Sequence, residues 1–154
     1  MAINPNTDFT ALTVLTAAQQ NRFPRGVVAY AQTPTSDTTI TSEEIQVTST
    51  TFTAVANRYY RITYYEPQVS AASGSFLVQY IRKTNVAGTQ YASSIFQQPS
   101  GQALNGTLNV SAVTTFSAGS TTVVGTMASG GGTASATRAA AYPAWICVED
   151  IGPA

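Results

Sequence analysis

The stretch Arg58-Tyr59-Tyr60-Arg61-Ile62-Thr63-Tyr64-Tyr65 (RYYRITYY, residues 58–65) decides the fold class. It alternates with a period of two: Tyr60, Ile62 and Tyr64 fall on one side, and Tyr59, Arg61, Thr63 and Tyr65 on the other. β-branched and aromatic residues in alternation describe a strand whose two faces meet different surroundings. Aromatic residues on both faces imply that each face is covered or amphipathic.

Outward from that strand the rhythm repeats. Val27 to Gln32, Ile45 to Val55, Phe76 to Lys83, Gln90 to Gln97, Leu108 to Phe116, Thr121 to Met127, Ala134 to Ala141 and Ala144 to Ile151 all read as strands. Turn signals separate them: Asn57, Ser73-Gly74, Asn105-Gly106 as a hairpin signal, Ala118-Gly119, and Gly130-Gly131-Gly132 as a flexible hairpin loop. Short strands at this spacing, without an intervening helical pattern, predict an all-β antiparallel sandwich or jelly roll. Composition agrees. Only 9% of the 154 residues are charged, well below the roughly 25% of ordinary domains. Polarity is carried largely by Thr, Ser, Gln and Asn, and β-branched Thr suits a pleated surface.

Before the strands, Thr16-Ala17-Ala18-Gln19 has the spacing of a capping box, so a helix of one or two turns is expected, ended by Phe23-Pro24. A helix this short is marginal alone and needs a surface. The chain therefore divides into an extended N-terminal arm with a short helix, residues 1–26, and a jelly-roll body, residues 27–154. Phe9, Leu12, Leu15, Arg22, Phe23 and Arg25 are the arm's candidate contacts. Two readings stand open: an arm that orders against a neighbouring subunit, or a segment that folds back and caps its own sandwich.

The chemistry the sequence offers is sparse. There is no histidine, so the commonest general base and metal ligand are missing, and no Ser-His-Asp or Cys-His scheme is available within the chain. Glu43-Glu44 and Glu149-Asp150 are carboxylate pairs, but neighbours along a strand point to opposite faces. A depolymerase would have to rely on such carboxylates. The glycine run lacks the phosphate-loop pattern, and Cys147 is the single cysteine, expected as a small apolar filler in a buried strand. The chain is accordingly expected to be non-enzymatic, with no cofactor and no metal. Seven basic and seven acidic residues cancel, which argues against nucleic acid, and no apolar run reaches the ~18 residues of a membrane span, so no membrane insertion is expected.

The tyrosines suggest a contact surface, since their rings pack while their hydroxyls stay wet. Tyr60, Tyr64 and Trp145 are the candidate subunit interface, with Arg58, Arg61, Arg82 and Lys83 as its frame.

Two segments carry a resemblance. Thr7-Asp8-Phe9-Thr10 through Val14-Leu15-Thr16-Ala17-Ala18-Gln19-Gln20-Asn21 resembles the opening of small tailed-bacteriophage structural proteins, and Val148-Glu149-Asp150-Ile151-Gly152-Pro153 resembles their closing strand. The layout between them is similar to trimeric jelly-roll heads of the TNF and C1q type. The resemblance implies a virion component, synthesised in the host cytoplasm: a homotrimeric decoration or fibre-type protein held to capsid, neck or tail proteins through its N-terminal arm. The alternative is a receptor- or glycan-binding tail-tip module that meets the host surface through loops around Gln97 to Asn105 and Gly130 to Gly132.

Overall fold

The computed structural model describes residues 14–154. It is an antiparallel jelly-roll sandwich preceded by a single helical turn, α1 (Ala17–Gln20). The capping box is formed: the Thr16 hydroxyl accepts from the Gln19 amide at 3.2 Å, and the Gln19 side chain accepts from the Thr16 amide at 2.9 Å. The turn ends at Asn21, before Phe23-Pro24 is reached.

One sheet has six strands. β1 (Gly26–Thr33), β12 (Ala144–Pro153) and β5 (Arg58–Ser70) lie side by side, with β8 (Gly106–Thr115) on the far side of β5. Beyond the end of β12, β11 (Ala134–Ala136) takes its place along β5 and brings β2 (Asp37–Ile40) with it. The second sheet runs β3 (Glu44–Thr48), β10 (Val123–Ser129), β6 (Phe76–Lys83), β7 (Gln90–Gln97). A third, small pair joins β4 (Phe52–Ala54) to β9 (Gly119–Thr121). The chain crosses between the large sheets from β2 to β3, β3 to β5, β5 to β6, β7 to β8, β8 to β10 and β10 to β11. That crossing pattern over the order β3-β10-β6-β7 and β1-β12-β5-β8 makes the sandwich a jelly roll.

The inner row of β5 holds the two sheets together. Tyr60 packs against Phe52 and Phe116 at 5.8 and 5.2 Å between ring centres, and its hydroxyl accepts from the Val55 amide at 2.8 Å. Tyr64 lies under Gly125 of β10, where an added Cβ would stand 2.6 Å from the ring. Its hydroxyl donates to Glu66, which is fully buried and receives a forked pair of bonds from Arg138 at 2.7 and 2.9 Å. Burial first, and the Glu66 charge second, push the Tyr64 phenol well up. Arg138 also donates to Gln46 and to the Thr35 carbonyl, so one buried cation joins β3 and the chain before β2 to β5.

Tyr60 and Tyr64 are therefore core residues, which corrects their assignment to a subunit interface: each ring is enclosed by its own protomer and leaves no surface to a neighbour. The turn readings at two glycine sites also change. Asn105-Gly106 closes no hairpin, because β7 and β8 belong to different sheets; Gly106 is needed because a Cβ there would stand 2.4 Å from the Phe96 ring. The run Gly130–Gly132 likewise crosses between sheets, and Gly130 gives room to the Phe76 ring. The span Ile45 to Val55 divides into β3 and β4, and Ala134 to Ala141 shortens to β11.

Candidate functional site

The outer face of the six-stranded sheet is built by the residues that β5 turns away from the core. Tyr59, Arg61, Thr63 and Tyr65 form its central column, and the pairing register fixes what stands beside each. Gln32, Trp145, Tyr65 and Asn109 make one row across β1, β12, β5 and β8. Tyr30, Cys147, Thr63 and Ser111 make the next, and Val27, Glu149, Arg61 and Val113 the third. At the end of the column Tyr59 stands beside Thr115.

Polar groups on this face find partners within it. Arg61 donates to Glu149 at 2.8 Å, the Thr63 and Ser111 hydroxyls lie 2.9 Å apart, and the Tyr30 hydroxyl donates to Gln32 at 3.0 Å. Tyr65 and Trp145 stack at 5.5 Å. The hydrogen bond from Arg61 holds the Glu149 carboxyl below the ordinary carboxylate range, against a smaller opposing effect of burial. Between these pairs the apolar groups are open: Val27 and Val113 are each 60% exposed and Tyr30 43%. Cys147 points outward here, half-buried, rather than filling the core as expected; burial and the Glu149 charge push its thiol up.

The arm's exit is fixed to the body by a buried clamp. Arg58, at the first position of β5, donates to both oxygens of Asp150 at 2.5 and 2.7 Å. Its remaining donors hold the carbonyls of Asn21 and Phe23 at 2.5 and 2.6 Å. Both charged side chains are buried, and Arg25 approaches Asp150 at 4.0 Å. The end of α1 is thus seated on its own sandwich, while Val14, Leu15 and Phe23 keep exposed surface. Phe9 and Leu12 lie outside the described residues.

The four basic residues expected to frame one surface do not converge. Arg58 is in the clamp, Arg61 is on the outer face, and Arg82 with Lys83 belongs to β6 of the other sheet. The paired carboxylates separate as strand geometry requires: Glu149 faces out to Arg61, and Asp150 faces in to Arg58. Glu43 binds Arg82 and Thr126, while Glu44 lies beside Asp37, whose charge helps raise its carboxyl after burial.

The two ends of the sandwich differ. Around Phe76, the loops 97–105 and 130–132 are drawn together, with the Gln98 amide on the Ser75 carbonyl at 2.8 Å and the Gly130 amide on Phe76 at 2.8 Å. At the opposite end of β5, beside the α1 exit, a cleft of about 650 Å³ opens between Asn57, Tyr59 and the strand end Thr114 to Ser117. Sequence reasoning placed Trp145 on a contact surface but missed Tyr30, Val27 and Val113. Their common face emerges only from the inter-strand register.

No family model matches the chain, and no curated protein matches it. Among solved structures, the chain is similar to a carbohydrate-binding module from Cellvibrio mixtus lichenase 5A in complex with cellotriose. The two are 14% identical with a TM-score of 0.37, over 80% of this chain and 98% of that one. A second similar structure comes from the disulfide-linked pili of Bacillus endospore appendages: 15% identity and a TM-score of 0.28, over 84% of this chain and all of that one. At this level of likeness the fold rests on the strand order alone.

Proposed function

We propose that the chain is a non-enzymatic structural subunit of a bacteriophage particle. Its jelly-roll bodies form a homotrimer through the outer face of the six-stranded sheet, and residues 1–26 attach it to another virion protein of the capsid, neck or tail. The virion assignment follows the resemblance of Thr7 to Asn21 and Val148 to Pro153 to phage structural proteins.

One observation carries the assembly reading. The Arg61–Glu149, Thr63–Ser111 and Tyr30–Gln32 groups of the outer face are already paired within the sheet, whereas the apolar groups of Val27, Tyr30 and Val113 remain open to water. Covering such a face removes apolar area at about 25 cal/mol per Å² without stranding the Arg61–Glu149 pair. Exposed apolar groups gathered on one face are a feature of association sites, and a stable contact needs on the order of 1,000 Å² or more. Seating the arm's exit on the body also means that attachment begins from a fixed point.

Sedimentation equilibrium at micromolar concentration tests the assembly. The wild type is expected at three times the chain mass, and Val113→Asp, which places a charge at the β8 side of the face, at the mass of one chain. A wild-type monomer, or a Val113→Asp trimer, would overturn it.

A further inference from the structure

The cleft lies at the end of the outer face, where Tyr59 and Thr115 close its central column, and has its own chemistry. Its volume of about 650 Å³ lies within the ~300–1,000 Å³ of small-molecule sites. Among the described residues no acidic or basic side chain lines it, and Ala154 forms part of its wall. Instead it is lined by Tyr59, Asn57, Thr115 and Ser117, with Thr114 and the buried Phe116 behind them.

Hydroxyls and an amide both donate and accept, so this wall matches a ligand that does the same at several adjacent points. An aromatic ring beside them suits a ligand with one apolar face. No charged side chain is in place to pair with a phosphate, a carboxylate or an amine. A neutral pyranose combines hydroxyls around its rim with a face of C–H groups, and fits each of these conditions.

The wall is also preorganised. Thr114 and Thr115 are held in the ladder opposite Tyr60 and Tyr59. Asn57 is in the left-handed region at φ 59°, with its carbonyl accepting from the Ala154 amide at 2.9 Å. Sites on strands and locked turns lose little freedom on binding.

We infer that this cleft binds a single ring of a neutral saccharide, with Tyr59 as the stacking platform and Asn57, Thr115 and Ser117 as hydrogen-bonding partners. The ligand then sits at the arm end of the sandwich, and not among loops 97–105 and 130–132 at the other end. The inference stands apart from the assembly reading: a monomer that binds sugar here would refute the trimer and leave the cleft assignment intact.

Amide chemical-shift titrations of the whole protein with methyl β-glucopyranoside, methyl β-galactopyranoside and N-acetylglucosamine provide the test. A contact of this size and neutrality corresponds to a Kd on the order of 1 mM. At least one sugar is expected to give saturable shifts at residues 56–59 and 114–117. Tyr59→Ala should weaken that binding tenfold or more, Tyr59→Phe should stay within about threefold of wild type, and Thr115→Val should weaken it with the oligomer mass unchanged. The inference is overturned if none of the three sugars moves these amides at about 100 mM, if the shifts map to loops 97–105 or 130–132, or if both Tyr59→Ala and Thr115→Val bind as the wild type does.

Discussion

Replacing Arg58 by alanine would test the buried clamp most directly. The substitution removes both Arg58 donors to Asp150, leaving that buried carboxylate with the Gly152 amide at 3.0 Å and Arg25 no nearer than 4.0 Å. Breaking a buried pair from one side costs about 3–5 kcal/mol. The two carbonyl bonds to Asn21 and Phe23 add little to that figure, because the segment they hold lies at the surface and its carbonyls regain water. For a domain of this length roughly 3 °C of Tm accompanies each kcal/mol, so Arg58→Ala should melt about 10–15 °C below the wild type at matched protein concentration. Arg58→Met with Asp150→Leu removes both charges and should recover most of the loss, since an apolar replacement of a buried pair is often neutral. A second readout separates the arm from the body. The Arg22 and Phe23 amides, bonded to Gln19 and Gln20 at 3.1 Å, should exchange with solvent faster in Arg58→Ala than in the wild type. The reasoning fails if Arg58→Ala stays within about 1 kcal/mol of the wild type, or if the double variant is no more stable than the single one.

Gly125→Ala should destabilise the protein by about 1–3 kcal/mol, read as a lowered denaturation midpoint, because the new Cβ would stand 2.6 Å from a Tyr64 ring pinned through its hydroxyl to Glu66. An unchanged midpoint would show that the sheets separate more easily at this point than their packing indicates. At Glu43, burial works to raise the carboxyl, but hydrogen bonds from Arg82 and Thr126 and the Arg82 charge together hold it below the ordinary glutamate value of 4.5. The folded-state value is depressed, so the stabilisation is present above the unfolded value and disappears as pH falls through the folded one. Thermal melts should therefore show wild type above Glu43→Gln from neutral pH down to about 4.5, the gap closing only below it; closure at higher pH would contradict the assignment.

Much of the body is legible in the sequence because its strands are local. Phe76–Lys83 and Gln90–Gln97 are read to the residue, and the alternation at residues 58–65 runs on to Glu66 before it shifts at Pro67-Gln68. The capping box is equally local and forms as read. What escapes the sequence depends on which strands become neighbours. β2, Asp37-Thr38-Thr39-Ile40, has one apolar residue and exists because β11 pairs with it and Arg138 ties the preceding chain to Glu66. Gly106 looks like half of a turn, but its need for glycine comes from the Phe96 ring arriving from another strand. Tyr60 and Tyr64 share a parity with Ile62, and in a two-layer fold the more apolar parity faces inward. The row with Arg61 and Thr63 is then the one left to meet a partner.

The placement of the charges explains how a chain so poor in them holds its shape. Arg58 and Asp150 join the first turn to the two central strands, and Arg138 and Glu66 join the chain around β2 and β3 to β5. Each buried cation also takes main-chain carbonyls that would otherwise need water. These pairs act as crosslinks between segments far apart in sequence, a role that apolar packing fills with less directional control. The outer face uses its charges differently: Arg61 and Glu149 lie flat across adjacent strands and cancel each other in place. A partner covering that face would not need to supply a counter-charge, only a complementary shape. The arm's exit is where this self-sufficiency ends. There the exposed Leu15 and Phe23 stand near Arg25, whose guanidinium is 4.0 Å from an Asp150 carboxylate already engaged by Arg58. A surface combining apolar groups with an acidic rim would complement that end of the molecule.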